Sequence, residues 1–140
     1  MLSASLLTAL ITLALCQAFK VVACSLRDRR PRWGLFFSPG GMPSAHSAFV
    51  SALTLRLGLE QGFGSELFSV CFVFAAITVY DSFRLRGAVQ LQGKVLNSLL
   101  DSFPRQGVKR LPQMVGHSLP EVAAGILVGL GMAVLLHLLR

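Results

Sequence analysis

The sequence predicts an all-α, integral-membrane helical bundle with about four transmembrane helices and one amphipathic interfacial helix. Three observations lead there. The 140-residue chain is 54% hydrophobic and 14% charged, against about 25% charged in a typical soluble domain. Its apolar residues gather into segments close to the roughly 20 residues that span a bilayer. Its cations gather between those segments. Residues 1–140 form a single membrane-embedded domain on this reading, in line with roughly 100–200 residues per domain. The net charge of +7 would suggest nucleic acid as the partner of a soluble chain. Between apolar segments it is explained by topology and anionic lipid, so the bilayer is the expected partner and nucleic acid is not.

The first span is expected at residues 2–26. It is uncharged as far as Phe19, and Lys20 follows. A signal peptide has a basic start and an apolar core of about 7–15 residues. This segment lacks the first and exceeds the second, so it reads as a retained helix. Arg27, Arg29, Arg30 and Arg32 then make a basic loop, with Trp33 as an interfacial anchor. The second span is expected at residues 43–59, with Ser44, Ala48, Ser51 and Ala52 supplying small residues for close helix packing. Residues 60–64 read as a tight turn. The third span covers residues 66–80.

Residues 81–110 carry Arg84, Arg86, Lys94, Arg105, Lys109 and Arg110. Leu85, Val89, Leu96, Leu99 and Leu100 recur at roughly helical spacing. That pattern predicts an amphipathic helix over 85–100, at the interface or against the bundle. The last span is expected at 118–139. Gly125 and Gly129 give it a G-x-x-x-G face for another helix, within the chain or in a homodimer. Cys16, Cys24 and Cys71 lie in or beside apolar segments without metal-type spacing, and read as packing residues.

Eleven of the thirteen Lys and Arg residues fall in the first-to-second and third-to-fourth connections, Lys20 included. The positive-inside rule puts both connections in the cytoplasm and both termini outside. The expected location is a bacterial inner membrane. Arg56 and Arg140 fall toward the other side.

One stretch carries chemistry: Gly40-Gly41-Met42-Pro43-Ser44-Ala45-His46-Ser47. The glycines allow close approach of backbone to a ligand. Pro43 suits the first position of a helix. A helix start presents unpaired N–H groups and partial positive charge to a phosphate. His46, in the first turn, can give a proton to a leaving group. A plain N-cap with an incidental histidine would leave the same trace. Topology brings further groups to this face: Lys20 and Arg27 from the first span, Asp81 and Arg86 after the third, His117 and Glu121 at the fourth. Ionisable groups near spans usually face a partner or a wet cavity.

These residue types suit phosphoryl transfer through histidine. His117 can attack phosphorus as the neutral imidazole. Glu121, one helical turn on, can hold the other ring nitrogen, or form a simple His–Glu pair. Lys20, Arg27 and Arg86 can neutralise the phosphoryl oxygens, or simply set topology. The set calls for no metal and no cofactor.

Phe37 to Ala48, read as Phe-Ser-Pro-Gly-Gly-Met-Pro-Ser-Ala-His-Ser-Ala, resembles the signature of the acid phosphatase/vanadium-dependent haloperoxidase-related family. That family is a divergent branch of the type 2 phosphatidic acid phosphatases. The resemblance continues through Tyr80-Asp81, Leu96-Asn97 and Gly116-His117-Ser118 to Glu121-Val122 and Ala124-Gly125, almost the whole chain. It implies a metal-independent hydrolase acting on a lipid-linked phosphate. It makes His117 the nucleophile and His46 the general acid, with Glu121 orienting His117. Lys20, Arg27, Gly41 and Ser44 then bind phosphate, with Arg86 as a further candidate. The chain departs from the superfamily pattern in four places. Asp28 stands for proline, Ala45 for glycine and Glu121 for aspartate, and Arg110-Leu111 stands where a Ser-Arg pair is expected. A member of the same fold that only binds anionic lipid or a membrane partner is the alternative reading.

Overall fold

The computed structural model describes residues 2–31, 33–37, 42–102, 110–111 and 118–139. Five α-helices follow in order: α1 (Ala4–Asp28), α2 (Ala45–Gln61), α3 (Glu66–Phe83), α4 (Leu85–Ser102) and α5 (Leu119–Leu138). A short 3₁₀ turn, Trp33–Phe37, lies between α1 and α2. The all-α expectation holds, with no strand among the described residues.

Serine starts four of these helices. Ser3 accepts from the Leu6 N–H at 3.2 Å, Ser44 from the Ser47 N–H at 3.4 Å, and Ser65 from the Phe68 N–H at 3.2 Å. Each occupies an amide that the helix itself cannot satisfy. Ser118 is the N-cap of α5, with a proline in its first turn. α1 ends where Arg29 turns left-handed (φ 52°) and donates its N–H back to the Ser25 carbonyl. Glu60 and Gln61, expected in a turn, complete the last turn of α2 instead.

α2 is the centre of the molecule and packs against α1, α3 and α5. Most of its buried residues are small or polar, Ala45, Ser47, Ala48, Ala52 and Thr54 among them, with Val50 and Leu57 the larger apolar ones. Ala9 and Thr12 of α1 and Ala133 of α5 are fully buried as well. Small side chains let helix backbones approach closely in lipid, where apolar burial between helices gains little. Leu15, Phe19, Val70, Phe72, Phe74, Leu127 and Leu135 face outward. A soluble domain would reverse this arrangement. Two buried threonine hydroxyls are satisfied within their own helices, Thr12 donating to the Thr8 carbonyl and Thr54 to the Val50 carbonyl, both at 2.8 Å. Such back-bonding is what an apolar surrounding requires.

Among the described residues, three stretches are long and apolar enough to cross a membrane: α1, the run Glu66–Ser102 that contains α3, and α5. α2 has 17 residues, at the short end of the roughly 17–25 that span a bilayer. This agrees with the expected all-α membrane bundle, in which the second span is the short one. Because its neighbours enclose it, α2 takes small and polar residues where a lipid-facing span takes uniformly large apolar ones.

A single residue, Arg84, separates α3 from α4. The i to i−4 bonding continues across it, Arg84 N–H to the Tyr80 carbonyl and Ala88 N–H to the Arg84 carbonyl, both at 3.0 Å. α4 is amphipathic, as the spacing predicts, and Val89, Leu96 and Leu99 are exposed. Among the described residues α3 is the one helix it packs against, so α4 does not lie along the bundle.

Candidate functional site

α1 and α2 run antiparallel. At one end the Ser5 hydroxyl donates to Glu60 Oε2 at 2.9 Å. Further along, Cys16 packs with Ala45 and Ala48 in a buried cluster. Lys20 follows Cys16 by one turn on the same face of α1, at the end of the bundle where α2 begins. It is only 6% exposed. Arg27, two turns beyond, is exposed in the last turn of α1.

α5 meets the same end. The Ser44 N–H donates to the Glu121 carbonyl at 3.0 Å, joining the start of α2 to the first turn of α5. Gly125 and Gly129 hold the helices together below this bond. A Cβ on Gly125 would strike the Ser44 carbonyl oxygen, and one on Gly129 would strike that of Ala48. The G-x-x-x-G face is thus spent inside the chain, on α2. Three helices deliver the expected residues to one end of the bundle: Lys20 from α1, His46 from α2 and Glu121 from α5.

Their side chains differ in what they are doing. Ser44 is fully buried, and its hydroxyl lies 3.0 Å from the Ser47 hydroxyl besides capping α2. His46, in the first turn of α2, is exposed between buried neighbours Ala45 and Ser47. Glu121 Oε2 accepts from the Ser118 N–H at 3.2 Å, so its carboxylate closes a capping box at the start of α5. Gly41 and His117 lie outside the described residues, as do Ser38 to Gly40. Arg86 belongs to α4, and its side chain lies outside the described ones too.

Arg110, nearest to the place of the expected motif arginine, pairs instead with Asp101 of α4 at 2.5 Å. Asn97 stands beside this pair. Its side chain donates to the Leu111 carbonyl and accepts from the Leu111 N–H, each at 3.0 Å. Asn97 is 3% exposed. It clamps the chain after α4 through both edges of its amide.

One polar group escaped the sequence reading. Arg56, toward the end of α2 opposite His46, is 2% exposed within the bundle. Its Nε donates to Glu60 Oε1 at 3.0 Å, and Glu60 Oε2 takes the Ser5 hydroxyl. Arg56 Nη1 is buried without a hydrogen-bond partner. The signal was present in the chain, since Arg and Glu four residues apart share a helix face and a cation inside an apolar segment needs a partner.

Comparison with known proteins gives the family. The model of the divergent PAP2 family matches residues 1–132. The chain belongs to that family. It is also similar to the uncharacterized membrane protein YuiD of Bacillus subtilis (strain 168), with 35% identity over 139 aligned residues, covering 89% of this chain and 88% of that one. No solved structure matches the chain.

Proposed function

We propose that this divergent PAP2 protein is a membrane phosphatase that hydrolyses a lipid-linked phosphate at the cytoplasmic end of its bundle. The observation that carries the reading is the Ser44–Glu121 backbone bond. It couples the helix start bearing His46 to the helix start that follows His117, and Lys20 lies at the same end. Two histidines with separate roles need such a fixed spacing.

In this mechanism the phosphate sits at the start of α2, where backbone N–H groups and the helix dipole favour an anion. Lys20, Arg27 and Arg86 balance the charge on its oxygens, and Gly41 admits it close to the backbone. The Ser44 hydroxyl holds the start of α2 in shape. His117 attacks phosphorus, the bond to the lipid oxygen breaks, and His46 protonates that oxygen as it leaves. Water then attacks the phosphohistidine and releases phosphate. Glu121 supports the charge that develops on His117, which neutral imidazole alone would bear poorly. The chemistry rests on imidazole and cationic side chains, so no metal is assigned to it.

The alternative reading, a non-catalytic member that binds anionic lipid, draws on the Arg110–Asp101 pair. Arg110 is engaged there, away from the role a motif arginine would have. Phosphate release by purified protein from a panel of lipid phosphates separates the two. The phosphatase reading expects release that survives chelators and is blocked by vanadate, which mimics five-coordinate phosphorus. Saturable lipid binding without release from any member of the panel would select the alternative.

A further inference from the structure

A groove of about 600 Å³ runs between α1, α5 and the residues that lead into α2. Cys16 and Phe19 form one wall, Ala124, Val128 and Met132 the other, and Pro43 closes the end. Every side chain lining it is apolar. From Ala124 to Met132 it follows roughly 12 Å of α5. Its size falls within the roughly 300–1,000 Å³ of small-molecule sites. Phe19 is 60% exposed and Val128 38% exposed, so the groove opens sideways, between two helices that are each long and apolar enough to cross a membrane. Hydrocarbon is what covers such a face in a bilayer.

The groove is continuous with the candidate phosphate site. Pro43 precedes Ser44, the N-cap of α2. Ala124 precedes Gly125, whose backbone touches Ser44. Lys20 continues the buried stripe of α1 one turn beyond Cys16. An apolar channel thus ends at a helix start with a buried cation beside it. That polarity fits one kind of molecule, a phosphate monoester carrying a long unbranched tail, entering sideways from the bilayer.

We propose that this groove holds the apolar tail of the phosphate-bearing substrate, and that Ala124, Val128 and Met132 set the tail length accepted. The proposal rests on the phosphate site assigned above. Occupancy of the groove itself can be read without turnover.

The test uses full-length protein in nanodiscs and hexadecyl phosphate carrying a diazirine midway along its tail. Photolysis and peptide mapping should place the label on residues 128–132. Unlabelled hexadecyl phosphate should compete it away, and hexadecanol should not. Phosphate release from hexadecyl and butyl phosphate is measured in parallel. Val128→Phe and Ala124→Phe should each lower the hexadecyl-to-butyl ratio about tenfold, equivalent to about 1.4 kcal/mol. Leu127→Phe, on the 70% exposed face of α5, should change neither rate.

Label spread evenly onto Phe72 and Val73 of α3, or competition by hexadecanol equal to that by the phosphate, would overturn the proposal. So would an unchanged ratio in both groove variants. Phosphate-dependent labelling of α5 without release from either ester would leave the tail site standing and remove the phosphatase reading.

Discussion

The N–H of Ser44 donates to the carbonyl of Glu121 at 3.0 Å. These residues are 77 positions apart in the chain, yet this bond sets the spacing between the two helix starts that carry the candidate chemistry. A backbone amide at a helix N-cap normally turns to a side chain or to water. Here it takes another helix, and the close approach that permits it comes from Gly125 and Gly129.

Substitution at those glycines therefore has a directional consequence. Gly125→Leu and Gly129→Leu should push α5 from α2 and destabilise the fold by about 1–3 kcal/mol, the usual cost of overpacking. A Cβ at Gly131 meets nothing within 4 Å, and Gly131→Ala should be neutral or stabilise by up to about 1 kcal/mol through helix propensity. Thermal unfolding of the three variants in one detergent checks the contrast. Equal effects at positions 125 and 131 would show that the close contact is not formed.

The buried pair at the other end of α2 predicts a second contrast. Glu60→Ala leaves the Arg56 guanidinium buried without its partner, and should cost about 3–5 kcal/mol. Removing both charges with Arg56→Met and Glu60→Leu together should recover most of that loss, because the desolvation of each ion disappears as well. Denaturant unfolding of the single and double variants measures the coupling. Additive losses would mean that the two side chains do not interact.

The Asn97 clamp gives a prediction outside the bundle. Asn97→Ala removes both hydrogen bonds to Leu111, and a backbone group left without its partner costs about 1–3 kcal/mol where it is buried. Tryptic cleavage after Arg110 should accelerate at least several-fold while the melting temperature of the bundle stays unchanged. An unaltered cleavage rate would separate Asn97 from any hold on this segment.

How much of this could be read from the sequence differs by residue. Gly125 and Gly129 were visible as a contact face, because spacing alone marks it. That the face meets α2 was not visible, since a G-x-x-x-G motif says nothing about its partner. α2 was legible as a short span with small residues for close packing, and the structure encloses it between α1, α3 and α5; which neighbours would enclose it was not visible. Arg56 was read as a topology residue because its cation was weighed without Glu60. The start of α2 was legible to within two residues: Pro43 was expected at the first helical position, but it stands before the N-cap Ser44, and the helix begins at Ala45. The second role of Ser44, its bond to Glu121, depends on a contact across 77 residues that no local pattern encodes.

Topology is open to a direct check. Both basic connections should face the cytoplasm, given eleven of thirteen cations within them. In a cysteine-less background, Gln106→Cys should resist an impermeant maleimide in intact cells and react after permeabilisation. Labelling in intact cells would place this connection, and the candidate site with it, on the outer face.

The most direct test of the catalytic assignment is turnover by His117→Ala and His46→Ala on two substrates, a lipid phosphate and nitrophenyl phosphate, with folding of each variant verified. The account predicts that His117→Ala loses turnover of both and forms no phosphoenzyme, because the attacking atom is gone. It predicts that His46→Ala loses about 10²–10⁴-fold on the lipid phosphate, the usual contribution of a general acid. That loss should be much smaller on nitrophenyl phosphate, whose leaving group needs little protonation. Wild-type turnover of the lipid phosphate by His117→Ala would contradict the account, and would make the basic end of the bundle a lipid-binding surface.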